Sequence, residues 1–209
     1  MDEKLLHTAY ILAIITIVYN ILEGIISVFF GISDDALTLL GFGVDSFVEV
    51  LSGVGILHMT YRMKRQSKND IDSHDRFEKQ ALKITGVSFY VLTVGLIGGA
   101  VVSIITGSRP ETTLIGIIVS VISILTMYIL MTVKLKIGRA LKSDAIIADA
   151  NCTKTCFYLS FILLISSGLY QVFGMGLLDI AGSLGIAWFA FSEGKEAFEK
   201  ARNDKRECC

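Results

Sequence analysis

Residues 36–59 read ALTLLGFGVDSFVEVLSGVGILHM, an apolar segment long enough to cross a bilayer with two carboxylates, Asp45 and Glu49, near its middle. On a helix, residues four apart share a face one turn apart. An Asp at mid-membrane costs about 3 kcal/mol on insertion scales, and Glu should be comparable. Two like charges one turn apart also repel. Something positive must therefore come between them.

The rest of the chain agrees with a membrane setting. It is 53% hydrophobic over 209 residues, with one proline and a mean hydropathy of +0.63, which excludes an ordinary soluble domain. Six apolar runs read as spans: Tyr10–Phe30, Leu37–Met59, Ile84–Ile105, Leu114–Leu135, Ala145–Tyr170 and Leu177–Phe191. The predicted class is an all-α membrane protein of six transmembrane helices. Residues 1–198 form the helical domain and 199–209 a short cytoplasmic tail. The first run is expected to stay in the mature protein, because Asp2 and Glu3 precede it and no small-residue cleavage site follows cleanly.

The net charge of −1 says little, but the distribution of charge says more. Under the six-span reading, 17 of the 19 Lys and Arg residues fall on one side, including Lys134 and Lys136 at the end of the fourth span. Arg109 lies opposite, and Lys154 lies inside the fifth span. The positive-inside rule then places both termini in the cytoplasm. The basic clusters read as orientation signals, and no nucleic-acid partner is expected.

The fifth span repeats the spacing of the second with different donors, Cys152 and Cys156. Counting 1.5 Å per residue inward from Ala36 puts Asp45 and Glu49 about 14 and 20 Å deep. Counting outward from Lys142 puts the thiols about 15 and 21 Å deep. All four meet near the middle of a ~30 Å hydrocarbon core, provided the second and fifth helices are neighbours. Two carboxylates and two thiolates make a tetrahedral set for Zn²⁺, with thiolates also favouring Cd²⁺, Hg²⁺ or Cu(I) over Mg²⁺ and Ca²⁺. Thiols must lose protons to bind a metal, so binding and proton release are coupled. The motif ligand–Ser/Thr–x–x–ligand occurs in both spans, which run in opposite directions, as in transporters built from inverted repeats.

Other polar residues carry alternatives. Asp149 shares the Cys152 face, and either lines the cytoplasmic mouth or cross-links helices. Lys154 points away from that face, with Glu23 of the first span as its candidate partner. Asp179 reads as an exit ligand or as a satisfied interfacial group, and Asn20 as an interhelical hydrogen bonder or a border of the metal path. Thr60–Lys83 reads as a long charged loop, whose stretch Asp70–Glu78 could gather cations but reads better as solvated charge. Cys208 and Cys209 sit in a reducing compartment, where a disulfide framework is not expected.

These residues resemble the cation diffusion facilitators over nearly the whole chain. The resemblance rests on Glu23-Gly24, on Ala36 through Glu49, and on Ser143 through Ala150 followed by the two cysteines. It implies a mid-membrane site for Zn²⁺ or a related ion, exchanged for protons, carried position by position onto Asp45, Glu49, Cys152 and Cys156. Family members carry a His/Asp pair where this chain has Cys152 and Cys156, which opens the identity of the metal. The chain resembles the short branch that lacks the cytoplasmic domain, and it retains only His74 of a His-rich loop before the third span. A homodimer is implied by the resemblance.

The expectation is a transporter rather than an enzyme. It would export Zn²⁺ or Cd²⁺ in exchange for protons, with no prosthetic group. Asp149, Glu23 and Asp179 are candidate pathway residues. The protein would lie in the lipid bilayer as a multi-pass protein, in the plasma membrane if the source is prokaryotic. The rivals are a membrane-embedded thiol redox protein using Cys152 and Cys156, and a metal-responsive membrane protein that binds without transporting. Helical i,i+4 geometry makes a disulfide between those cysteines awkward.

Overall fold

The computed structural model describes residues 3–65, 71–107, 114–141 and 144–202. They form six helices: α1 (Glu3–Ser33), α2 (Leu37–Arg65), α3 (Ile71–Thr106), α4 (Leu114–Leu141), α5 (Asp144–Phe173) and α6 (Leu177–Arg202). The closest pairings are α1 with α2, α3 with α6, and α4 with α5. Helix α2 is central, touching α1, α3, α5 and α6.

The bundle is built inside-out relative to a water-soluble protein. Helix α1 buries Ala9, Ala13, Thr16, Asn20, Glu23 and Ser27, spaced three or four apart, and turns Ile15, Val18, Leu22, Ile25 and Phe29 outward. Helix α4 does the same, burying Gly116, Ser120, Ser123, Met127 and Lys134 while exposing Ile118, Val121, Ile122, Leu125 and Ile129. Lipid imposes no penalty on the apolar outer face, so small and polar residues are left to mediate helix contact. Five helices, α1 to α5, are long and apolar enough to cross a membrane. The apolar run of α6 is shorter and carries Asp179, which interrupts it near its start.

The expected charged loop at Thr60–Lys83 is largely helix instead. Helix α2 runs on to Arg65 and α3 starts at Ile71, so most of the Asp70–Glu78 stretch forms the first turns of α3. No Gly or Pro lies between Thr60 and Lys83, and Lys, Arg, Glu and Gln are good helix formers, so both helices extend into the charged stretch. Asp70 itself lies outside the described residues, as do Arg109 and the Cys208–Cys209 tail.

The α1–α2 corner is tight. Asp35 takes a left-handed conformation (φ 53°), and Ala36 N–H returns to Gly31 C=O at 2.9 Å, the six-to-one bond of a Schellman motif. Gly31 is needed there, because a Cβ on it would lie 2.6 Å from the Leu40 backbone nitrogen. Along the same pair, a Cβ on Gly43 would lie 2.8 Å from the Val28 nitrogen.

Helix α2 starts on Ala36-Leu37-Thr38, which offers a poor N-cap of its own. Asp179 supplies the cap from α6. Leu37 N–H donates to its Oδ2 at 2.8 Å, and Thr38 N–H to its Oδ1 at 3.1 Å. Thr38 Oγ1 donates to the Asp179 carbonyl at 2.6 Å, which closes the clamp. The carboxylate also meets the positive end of the α2 dipole. Asp179 is thus a satisfied structural group, as one of the two readings held. Replacing it with Ala should lower stability by about 1–2 kcal/mol, the scale of a lost N-cap. Asp179→Asn should lose less. Thermal unfolding in detergent checks the order.

Candidate metal site

Asp45 and Glu49 project from α2 and are almost fully buried, at 1% and 3% exposure. Cys156 projects from α5 and is buried, while Cys152 is half-buried. All four line one small cavity with Val48, Ser52, Thr155 and Phe89 of α3, with room on the order of one water-sized sphere. The depth match between the two spans therefore corresponds to a real juxtaposition of α2 and α5.

The four side chains share the cavity without closing on a single point. Cys156 Sγ donates to Asp45 Oδ2 at 2.9 Å, so one carboxylate and one thiol already meet across the helix interface. Glu49 is turned elsewhere: Thr153 Oγ1 donates to Glu49 Oε1 at 2.5 Å. Among the described residues, no three His, Cys, Asp or Glu side chains stand close enough together to hold one ion. Yet Glu49 Oε2 is buried with no hydrogen-bond partner among the described residues. A buried carboxylate oxygen left unpaired costs about 1–3 kcal/mol or more, because it has lost its hydration without replacement. That oxygen is the free valence of the cavity.

The cluster behind Glu49 was not read from the sequence. Lys134 of α4 is 2% exposed. Its Nζ lies 2.8 Å from Asp149 Oδ2, donates to Thr153 Oγ1 at 2.8 Å, and stands 3.9 Å from Glu49 Oε1. Ser52 Oγ donates to Asp149 Oδ1 at 3.1 Å. Asp149 thus cross-links α2, α4 and α5. Counting Lys134 among the exposed cytoplasmic charges is corrected here: it is an internal counter-ion. The available signal was periodicity. Ser120, Ser123, Met127, Leu130 and Ile137 point inward at spacings of three and four, and Lys134 continues that stripe, whereas Lys136 leaves it.

The expected partnership of Lys154 with Glu23 does not form. Lys154 is exposed, with its Nζ 5.8 Å from the Tyr158 ring centroid. Glu23 instead accepts from Tyr19 at 2.8 Å on its own helix and from Ser46 at 3.0 Å on α2. The angle that carries Lys154 away from the Cys face carries it out of the bundle. Asn20 bonds within α1, donating to Thr16 C=O at 3.0 Å, rather than between helices. Glu193 of α6, unnoticed in the sequence, accepts from Thr155 Oγ1 at 3.0 Å beside the cavity.

Comparison with known proteins identifies the family. The description "cation efflux transmembrane domain" matches residues 13–203, nearly the whole chain. The chain belongs to the cation efflux family, the cation diffusion facilitators, and is an integral, multi-pass membrane protein. It is also similar to an uncharacterized transporter of Methanocaldococcus jannaschii, at 30% identity over 183 residues. That alignment covers 85% of this chain and 64% of the relative, so the chain spans a little under two thirds of that protein's length.

The two lysines make a test of the geometry. Lys134→Ala should destabilise the protein by about 3–5 kcal/mol, because it strands the buried Asp149. Lys154→Ala should change stability by less than about 1 kcal/mol, since it removes only an exposed cation–π contact. Chemical unfolding of both variants in detergent checks the contrast.

Proposed function

We propose that the protein is a secondary transporter that moves a divalent transition-metal cation, Zn²⁺ or Cd²⁺, out of the cytoplasm in exchange for protons. Asp45, Glu49, Cys152 and Cys156 are its ligands. The observation that carries this reading is the unpartnered Glu49 Oε2, buried in the cavity that Asp45 and both thiols line. A buried acceptor without a donor is rare in native structures and points to a missing partner. The donor set around it selects the partner: thiolates disfavour Mg²⁺ and Ca²⁺, and two thiolates with two carboxylates suit a tetrahedral d¹⁰ ion.

The same contacts support proton exchange. The proton between Cys156 Sγ and Asp45 Oδ2 occupies electron pairs that a metal would need. Loading from the cytoplasm would expel it, and metal release on the far side would let protons return to the thiols. A homodimer in the bilayer is part of the proposal and rests on family membership. Nothing favours the thiol redox rival, since both cysteines are free and the Cys156 sulfur is directed at a carboxylate on another helix.

Zinc and cadmium flux into proteoliposomes tests the proposal, with an acidic interior as the driving gradient. Asp45→Ala and Cys156→Ala should each reduce flux by at least about tenfold, since even residues behind a metal's ligands are worth ten- to a hundredfold. Unchanged flux in either variant would remove that residue from the ligand set. Tight binding without flux in the unmodified protein would favour the non-transporting reading.

A further inference from the structure

We propose that Lys134 is a tethered internal cation that takes the place of the metal at Glu49 when the site is empty and must be displaced when the site loads. The inference rests on the metal-site reading above and adds a residue from a helix that lines no part of the cavity.

Three observations carry it. First, the ammonium of Lys134 reaches Glu49 through one hydroxyl: its Nζ donates to Thr153 Oγ1 at 2.8 Å, and that hydroxyl donates to Glu49 Oε1 at 2.5 Å. Its direct distance to the same oxygen is 3.9 Å, inside ion-pair range. Second, this contact orients the ligand. One oxygen of Glu49 is held by Thr153, and among the described residues the other has no partner and Glu49 joins no group of three potential ligands close enough to hold an ion. Third, Lys134 needs no metal for its own burial. Asp149 at 2.8 Å balances its charge, so it can give up Glu49 without becoming an isolated ammonium.

The consequence is an exchange of cations at one carboxylate. In the empty site Lys134 offsets the buried charge of Glu49, which would otherwise stand uncompensated in a low-dielectric interior. On loading, Glu49 leaves Thr153 and turns to the metal, while Lys134 stays on Asp149. The ammonium lowers metal affinity by stabilising the empty form, and it leaves a carrier able to return without cargo. Lys134 is a positioning residue, since it acts through Glu49.

Cadmium titration of the full chain in detergent at fixed pH, read by Cd²⁺–thiolate charge-transfer absorption, tests the inference. Two paired replacements remove the ammonium without stranding Asp149: Lys134→Met with Asp149→Leu, and Lys134→Gln with Asp149→Asn. The first substitutes apolar groups for a buried ion pair, an exchange that is often neutral or stabilising. The second keeps polar groups, so the test stands if either variant folds. Each should bind Cd²⁺ about tenfold more tightly than the unmodified chain, because loading no longer draws Glu49 away from a cation that already stands at ion-pair distance from it. Were Lys134 only a cross-link between helices, the melting temperature would shift and the cadmium affinity of the folded variants would not. Unchanged or weaker affinity overturns the inference and leaves the metal site standing. Absence of any thiolate signal in the unmodified chain removes the metal site and this inference with it.

Discussion

The interior of this bundle depends on one ion pair, Lys134 with Asp149, 2.8 Å apart on α4 and α5. A charge in such a place must be paired and hydrogen-bonded or it does not stay charged. The pair meets that condition through Thr153 and through Ser52 of α2, so three helices are tied at one level. Glu49 then becomes tolerable inside the bundle, because an ammonium already stands within ion-pair reach of it.

The polar interior follows from the solvent. In water, apolar faces would drive these helices together; in lipid they are indifferent, and packing falls to small residues and hydrogen bonds. Gly31 and Gly43 let α1 and α2 approach until backbone meets backbone. Hydroxyls such as Thr93 and Ser183 donate to carbonyls of their own helices, so they sit inside without stranded donors. The apolar cluster of Leu39, Phe42, Leu96, Leu159, Leu163 and Ile186 fills the space among α2, α3, α5 and α6.

The fold was legible because hydropathy and charge asymmetry act over whole segments. Six helices stand where six apolar runs were read as spans, and among the described residues five of them, α1 to α5, are long and apolar enough to cross a membrane. The common depth of Asp45 and Glu49 with Cys152 and Cys156 was legible because rise per residue is fixed, whereas the contact between α2 and α5 that brings them together was a condition the sequence left open. Side-chain partnerships were not. Lys134 and Lys136 differ by two residues and have the same composition around them, yet a 200° difference in direction puts one inside and leaves the other on a different face. Lys154 invited a buried partner because it lies in a span, but a residue on the outer face of a helix needs none from the core. The charged stretch after residue 60 read as a loop because charge suggests water, although water and helix are compatible.

The ties on α2 differ in what metal loading would ask of them. Its N-terminal end is clamped by Asp179 through Leu37 and Thr38, contacts that involve none of the proposed ligands. Ser46 holds Glu23 one residue from Asp45, and Ser52 holds Asp149 three residues from Glu49. The bonds of Glu49 to Thr153 and of Asp45 to Cys156 would compete with a metal for the same atoms. One of these bonds carries a thiol proton and the other is backed by an ammonium. A metal entering the cavity would therefore face two distinct competitors, a proton that can leave the protein and a lysine that cannot.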